Sequence, residues 1–160
     1  RKGQAFVIRA LPQLPGAQLL LVGKGEDEAM LRGLAAEIGV ADRVHFLGSL
    51  DHTALPQVLS AADAMVLPSA SEGLANAWVE ALACGTPLVI TDAGGARELV
   101  RDASCGAIVA RDSEAIAAGV AHVLAAHLAP ETVSASAAPF SWEANGAALA
   151  EYFNQLTLTD

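Results

Sequence analysis

The sequence predicts a three-layer α/β fold, in which helices cover both faces of a parallel sheet. Short apolar segments alternate with longer segments of helical period as far as about residue 128, and this alternation is typical of parallel strands joined by crossover helices. The apolar segments are nearly continuous, as expected for strands that are buried on both faces. Apolar residues form 53% of the 160-residue chain, which is enough for a single core. We therefore expect one domain over residues 1–128.

The predicted elements follow one another in a regular order. Strands are predicted at residues 18–22, 44–47, 64–67, 88–91 and 107–110. Helices are predicted at residues 4–11, 27–38, 53–61, 74–84, 96–101 and 113–126. Most of the connections contain Gly, Pro, Asp or Ser, and these residues favour turns. The mostly parallel sheet should therefore have about five strands.

The C-terminal part of the chain differs in composition. Residues 129–139 are rich in Pro, Ser, Ala and Thr, and they are predicted to form a linker. Ser141 is a favourable N-cap for a final helix within residues 140–160, whose apolar residues recur at a heptad-like spacing. That apolar face needs a partner surface. The simpler expectation is the protein's own sheet, and the alternative is a domain outside this chain.

Composition argues against several classes of function. The net charge of −9 and the pI near 4.7 disfavour nucleic acids and anionic membranes as partners, because both require clustered Lys and Arg. Two cysteines are too few for a disulfide framework, so we expect reduced thiols and a cytoplasmic location. The sequence contains no uninterrupted apolar run of about 18 residues, so no transmembrane helix is predicted. The chain starts without Met on a loop before a helix, and we expect it to be a fragment.

Residues 71–87, SEGLANAWVEALACGTP, form the most informative segment. They follow the third predicted strand, and Gly73 opens the predicted helix. Glu72, Asn76 and Glu80 recur at i, i+4 and i+8, a spacing that predicts one polar stripe. Ligands of open parallel sheets bind beyond the carboxyl ends of the strands. We therefore expect this stripe to face a cleft.

The residue types of this stripe suit a nucleotide sugar. Two carboxylates about 12 Å apart, at about 1.5 Å per helical residue, could each accept hydrogen bonds from a pair of hydroxyl groups. Between them, the free N–H groups of Gly73, Leu74 and Ala75 would form an anion site at the helix N-terminus. The alternative is purely structural, with Glu72 capping the helix and Glu80 paired with an arginine.

Other candidate features carry weaker signals. Lys2, before the first helix, could reach a diphosphate or could be a solvated terminal side chain. Residues 23–26 lack the third glycine of a dinucleotide-binding pattern and favour a simple turn. Gly94 and Gly95 would allow a ligand or a neighbouring domain to approach the backbone, or would form a tight turn. The four histidines lack the spacing of metal ligands, so no metal site is predicted.

Several of these segments together resemble one known family. They are residues 1–4, 20–25, 43–48, 72–87, 94–98 and 140–143. The most specific feature is the pair of glutamates followed by ACGTP. The segments resemble the C-terminal, donor-binding domain of group 1 (glycogen-synthase-like) retaining glycosyltransferases of the GT-B fold. The resemblance implies a Rossmann-like half of such an enzyme, whose first strand and acceptor domain would lie upstream.

The resemblance also implies roles for individual residues. Glu72 would bind hydroxyls of the donor sugar and Lys2 would neutralise the diphosphate, so these two are the implied catalytic residues. The implied donor-binding residues are Gly73, Leu74, Ala75, Asn76, Glu80, Leu50 and His52, with Glu80 on the ribose diol and the last two lining the base. Many relatives carry Phe or Trp, then Gly or Pro, where this chain has Leu74 and Ala75. No metal and no cofactor are implied.

The function implied by the resemblance belongs to a longer protein. The intact enzyme would transfer a hexose from a UDP or GDP sugar to an acceptor with retention of configuration, and this fragment alone would be inactive. Its implied partners are the nucleotide sugar and a missing N-terminal acceptor domain, and peripheral association of the whole enzyme with a membrane is compatible with them. Two alternatives stay open: a non-catalytic nucleotide-sugar-binding or assembly module, and a GT-B enzyme of other chemistry such as a sugar-nucleotide epimerase.

Overall fold

The protein is an α/β structure, seen in a computed structural model that describes residues 2–157. Arg1 and residues 158–160, part of the predicted final helix, lie outside the described residues. Five strands are present in the described part: β1 Leu19–Val22, β2 Val44–Gly48, β3 Met65–Leu67, β4 Leu88–Thr91 and β5 Gly106–Val109. Each observed strand differs from its prediction by at most one residue at either end, which confirms the strand prediction.

Helices alternate with these strands, as the sequence predicts. They are α1 Gln4–Ala10, α2 Glu28–Glu37, α3 Leu55–Ser60, α4 Asn76–Ala83, α5 Ala96–Leu99, α6 Ser113–Ala126, α7 Pro130–Ala135 and α8 Trp142–Thr157. Short 3₁₀ turns occupy Leu11–Gln13, Ala41–Arg43 and Ala138–Phe140. Across residues 2–157, none of the helices combines the length and the apolar character that crossing a membrane requires.

The strands pair in two groups, and every pairing is parallel. β1 pairs with β2, while β4 lies between β3 and β5. The single sheet expected from the sequence is therefore divided, because no strand within residues 2–157 forms a ladder between β1 and β3. Helix α1 packs against both α2 and α6, so it connects the helical layers of the two groups.

The core has helices on both sides of β4. Leu88 and Ile90 point into a cluster with Trp78 of α4, whereas Val89 points to the opposite face and packs with Ile116 of α6. All four residues of β4 are buried. This alternation confirms the three-layer arrangement, because a strand covered on only one face would bury every second residue.

Helix α4 begins later than the sequence predicts. The predicted helix starts at residue 74, but Ala75 has an extended backbone (φ −72°, ψ 121°) and the helix starts at Asn76. The carbonyl of Gly73 is already engaged, since it accepts a hydrogen bond of 2.8 Å from the N–H of Gly95. This contact holds the backbone before Asn76 in a loop, so the three residues 73–75 are not helical.

The segment predicted as a linker carries regular structure. Pro130 occupies the first turn of α7, where a missing N–H costs nothing. Val133 of the same helix is fully buried in the cluster that contains Trp78. Composition alone indicated a linker because the segment is rich in Pro, Ser, Ala and Thr. Within α7, Val133 is the one buried residue, and a single valine does not produce a helical pattern. A domain boundary at residue 129 stays a prediction.

Helix α8 has the predicted N-cap, in which the N–H of Ala144 donates to Ser141 Oγ at 3.1 Å. It packs mainly on the 3₁₀ turn Ala138–Phe140. Its large apolar side chains are more than half exposed, and Trp142 is 88% exposed. The expectation that this face folds back on the protein's own sheet is therefore wrong for the described residues, since no strand of the sheet covers it.

Candidate functional site

The candidate site lies at the carboxyl end of β3, where the entrance to α1 and the β3–α4 loop meet. Gly3 has a left-handed backbone (φ +85°), and a Cβ atom at this position would lie within 2.4 Å of the Pro68 carbonyl oxygen. Only glycine combines that conformation with that approach. The contact brings the residue before Gly3 next to the loop that follows Pro68.

Lys2 and Glu72 meet across this contact. Lys2 Nζ donates to Glu72 Oε1 at 2.5 Å. The Glu72 side chain is only 11% exposed, whereas the Lys2 side chain is 49% exposed. A cation that reaches solvent is thus held beside a largely buried carboxylate. Among the described residues, no side-chain hydrogen bond caps the N-terminus of α4, so the alternative in which Glu72 caps that helix is not observed there.

The backbone amides that follow Glu72 are the second feature of the candidate site. Within residues 2–157, no hydrogen bond connects the N–H groups of residues 73–77 to an acceptor. Gly73, Leu74 and Ala75 belong to the loop, and Asn76 and Ala77 belong to the first turn of α4. The sequence predicted these free donors, but as part of a helix. In the structure, three of them belong to a loop and two to the first turn of α4, and free donors at a helix start suit an anion.

The predicted polar stripe is shorter than expected. Asn76 and Glu80 lie one turn apart on α4, and both are exposed. Glu72 precedes the helix, so the i, i+4, i+8 geometry does not include it, and the 12 Å separation along a helix is not observed. In the described part of the chain, no cation pairs with Glu80 and no hydrogen bond reaches its carboxylate. The predicted structural alternative of a Glu80–arginine pair is therefore absent there.

The loop that contains Leu50 and His52 is organised around Asp51. Asp51 Oδ1 accepts hydrogen bonds from Thr53 Oγ1 at 2.6 Å and from the N–H of Ala54 at 2.9 Å. The Thr53 hydroxyl contributes most to lowering the pKa of Asp51, followed by the Ala54 amide. Leu50 is half-buried and His52 is exposed. Among the described residues, neither forms a hydrogen bond with Lys2, Glu72 or Glu80, so their role at the site stays a prediction.

Arg111 is a site-forming residue that the sequence did not single out. Its Nε donates to the Pro68 carbonyl at 2.9 Å, and its guanidinium carbon lies 5.0 Å from the centre of the Phe6 ring. It therefore joins the end of β3, which the Glu72 loop follows, to α1, which Lys2 precedes. Arg111 lies two residues after the end of β5. Because the carboxyl ends of parallel strands lie at the same edge of a sheet, this position could have indicated from the sequence that Arg111 is near the site.

The space beside these residues is open and small. A cavity of about 130 Å³ is lined by Gly3, Phe6, Met30 and Arg111, among others. Sites that enclose organic ligands usually have volumes of about 300–1,000 Å³. In the described part of the chain, no group of three His, Cys, Asp or Glu side chains has the arrangement of a metal site. Lys2, Glu72 and Glu80 are not among the residues that line this cavity.

Comparison with known proteins gives consistent matches. A family model described as glycosyl transferases group 1 matches residues 1–152. The chain is 35% identical to a D-inositol 3-phosphate glycosyltransferase of Mycobacterium marinum, with 94% of this chain and 35% of that protein covered. The chain thus spans about a third of the length of that relative. Its fold matches a sucrose-phosphate synthase from Thermosynechococcus elongatus with a TM-score of 0.84 and 32% identity, covering 100% of this chain and 43% of the other.

A second solved structure is that of Anabaena HepE in complex with UDP. It matches 99% of this chain with a TM-score of 0.81 and 27% identity, while this chain covers 46% of it. In both structural matches the similarity covers less than half of the neighbour. The comparisons therefore identify this chain with one part of a larger architecture, the GT-B fold.

Proposed function

The chain belongs to the group 1 glycosyl transferase family, and from that membership we propose that it is the donor-binding half of a glycosyltransferase. The intact enzyme transfers a hexose from a nucleoside diphosphate sugar to an acceptor with retention of configuration. The observation that carries the proposal is the contact of Lys2 with Glu72, beside five backbone amides that have no acceptor within residues 2–157. These groups match a ligand that has both phosphates and hydroxyls.

Each group suits a different part of the donor. The Lys2 ammonium and the amides of residues 73–77 attract the diphosphate, because a cation and helix-start donors both favour anions. The Glu72 carboxylate accepts hydrogen bonds from sugar hydroxyls. Glu80, exposed on α4 and without a cation partner in the described residues, accepts them from the ribose diol. Leu50 and His52 line the base.

The chemistry follows from where charge develops. When the glycosidic bond to the diphosphate breaks, the leaving group gains negative charge in the transition state. Lys2 and the amides near Glu72 stabilise that charge, and donors that are already oriented do so without reorganisation. We propose that this arrangement works without a metal ion, because these donors supply the positive potential themselves. The cytoplasmic location stays a prediction from cysteine usage.

The rest of the enzyme completes the site. The residues assigned to the donor do not line the pocket of about 130 Å³ beside Gly3, and the acceptor domain supplies the opposite wall of the donor site. The same upstream part of the protein supplies a strand for the gap between β1 and β3, and it covers the exposed apolar face of α8. The matched structures support this arrangement, because this chain covers only 43% of one and 46% of the other.

The test measures which part of the nucleotide Glu80 contacts. Calorimetry on the intact protein compares UDP with 2′-deoxy-UDP, and likewise the GDP pair, for the wild type and Glu80→Ala. If Glu80 binds the ribose diol, the wild type prefers the ribonucleotide by about tenfold, which corresponds to one charged hydrogen bond. Glu80→Ala should abolish that preference. Glu114→Ala, which removes an exposed glutamate of α6, is the matched control and should retain it.

Two outcomes contradict the proposal at different levels. If Glu80→Ala keeps the preference for ribonucleotides, the assignment of Glu80 is wrong while the donor site stands. If the wild type binds no UDP, GDP or ADP sugar at millimolar concentration, the donor-site proposal fails as a whole. Binding without transfer to any acceptor would favour the non-catalytic alternative.

A further inference from the structure

The loop between β4 and α5 touches the segment that carries Glu72. Gly94 has a left-handed backbone (φ +53°), and a Cβ atom there would lie 2.2 Å from the carbonyl oxygens of both Glu72 and Gly73. Its neighbour Gly95 donates its N–H to the Gly73 carbonyl at 2.8 Å. The sequence suggested that a ligand or another domain would approach these glycines. In the structure the approaching group is the backbone of the candidate site itself.

Glycine is required at residue 94 for two independent reasons. Non-glycine residues seldom adopt this backbone conformation. In addition, real Cβ atoms essentially never lie within 3.0 Å of such backbone atoms, so any side chain would push the Glu72 segment away. At residue 95 a Cβ atom would lie 2.8 Å from Leu74 Cδ1, a further contact with the same segment.

Side chains fix this loop at both ends. Arg97 donates from Nε and Nη2 to the two carboxylate oxygens of Asp92, at 2.9 and 2.7 Å. At the start of the loop, the hydroxyl of Thr91 donates to the carbonyl of Ser69 at 2.6 Å in a buried position. The two loops are therefore joined at Ser69, three residues before Glu72, and again at Gly73.

The position of Glu72 depends on these contacts. Because α4 begins at Asn76, no helical hydrogen bond orients the backbone of Glu72. We propose that Gly94 is a positioning residue that sets the Glu72 carboxylate for the donor sugar, an inference that rests on the proposed function. A displacement of about 1 Å at such a group can reduce catalytic efficiency on the order of a hundredfold, so a backbone contact this close controls the site.

The experiment is a double-mutant cycle on donor binding by the intact protein. Calorimetry measures UDP-glucose and UDP, and GDP-mannose and GDP, for the wild type, Gly94→Ala, Glu72→Gln and the double variant. For whichever sugar nucleotide the wild type binds, Gly94→Ala should weaken its binding about tenfold more than it weakens binding of the corresponding nucleoside diphosphate. In the double variant, the ratio of sugar-nucleotide affinity to diphosphate affinity should equal that of Glu72→Gln within about twofold, because Gly94 acts on the sugar through Glu72.

Gly39→Ala is the matched control. Gly39 has a similar left-handed backbone (φ +73°), but a Cβ atom there would meet nothing within 4 Å. It carries the same backbone strain without the contact, so its affinities should equal those of the wild type. If Gly94→Ala does not fold, Arg97→Gln is used in the same cycle, since it loosens the loop from an exposed position. It should weaken sugar-nucleotide binding about threefold and should likewise be non-additive with Glu72→Gln.

The possible results separate the two proposals. Equal affinities for Gly94→Ala and the wild type, or additive losses in the cycle, would overturn the positioning role and leave the donor site intact. Failure of the wild type to bind any of these nucleotides would overturn the proposed function and this inference with it.

Discussion

Lys2 Nζ lies 2.5 Å from Glu72 Oε1, although the two residues are 70 positions apart in the chain. The pair joins the entrance of α1 to the loop after β3. Solvent screens the half-exposed Lys2 ammonium, but removing it takes a partner away from a carboxylate that is only 11% exposed. The effects of the pair on folding and on ligand binding must therefore be measured separately.

Lys2→Met should separate these two contributions. The substitution keeps the apolar stem but removes a charged partner of the largely buried Glu72 carboxylate, so the free energy of unfolding should fall by about 1–3 kcal/mol. Binding of a nucleoside diphosphate should weaken by about tenfold or more, and its dependence on salt concentration should decrease. Chemical denaturation and calorimetry measure the two effects. Glu28→Gln, which breaks the exposed Glu28–Arg32 pair of α2, is the control and should leave binding unchanged.

Asp51 should make the loop of Leu50 and His52 sensitive to acid. Its pKa is lowered below the ordinary value of 3.8, chiefly by the Thr53 hydroxyl. Its contribution to stability is therefore fully present above this value and is lost as the pH falls through the lower folded-state pKa. The melting temperature of Asp51→Asn should lie below that of the wild type at about pH 6 and should approach it at about pH 2.5.

Thermal unfolding followed by circular dichroism measures this convergence. Asp63→Asn, at an exposed aspartate, serves as the control and should show a constant difference from the wild type. A difference for Asp51→Asn that stays constant down to about pH 2.5 would mean that the Asp51 hydrogen bonds do not stabilise the loop.

The order and type of the elements could be predicted because they follow from local patterns. The apolar run of β4 and the periodicity of α6 each identify one element, and the predicted limits of both agree with the structure. The start of α4 could not be predicted in this way. It depends on a hydrogen bond from Gly95 to Gly73, and no pattern within residues 71–87 contains that information.

The candidate site was predictable in composition but not in geometry. The carboxyl end of β3 and the types of Lys2 and Glu72 indicated an anion and hydroxyl site, and the structure brings these two together. Their meeting depends on Gly3 packing against Pro68 and on Arg111 bonding to the same carbonyl. Contacts between residues so distant in sequence leave no local signal. For the same reason α7 was missed, since Val133 is buried only by tertiary packing.

Trp142 should report whether an upstream domain covers α8. In this chain Trp142 is 88% exposed, whereas Trp78 is fully buried. Acrylamide should therefore quench a large part of the tryptophan emission of the 160-residue chain. In the intact protein the quenchable fraction should fall strongly, because burial of an aromatic side chain removes it from solvent.

Trp142→Phe identifies the source of the signal. This variant of the short chain should retain only the protected emission of Trp78. Equal quenching of the short chain and the intact protein would contradict the proposal that the rest of the enzyme covers α8.

Substitution by alanine should change the stability of the protein in opposite directions at two glycines that lie in helices. At Gly33 in α2 a Cβ atom would meet nothing within 4 Å, so Gly33→Ala should stabilise the protein by about 0.5–1 kcal/mol through the reduced entropy of the unfolded chain. At Gly119 in α6 a Cβ atom would lie 2.5 Å from Val109 Cγ1 and 3.2 Å from Val89 Cγ1. There the gain in helix propensity competes with overpacking of about 1–3 kcal/mol.

Overpacking should prevail at Gly119 because Val109 Cγ1, the atom 2.5 Å away, belongs to a short, β-branched side chain with few alternative rotamers, and because Val89 is fully buried. Gly119→Ala should therefore lower the free energy of unfolding by about 1–2 kcal/mol, measured by urea denaturation with Gly33→Ala as the matched control. Equal stabilisation by both substitutions would show that α6 can shift away from the sheet. In that event α6 would pack less closely on β4 and β5 than the contacts of Gly119 indicate.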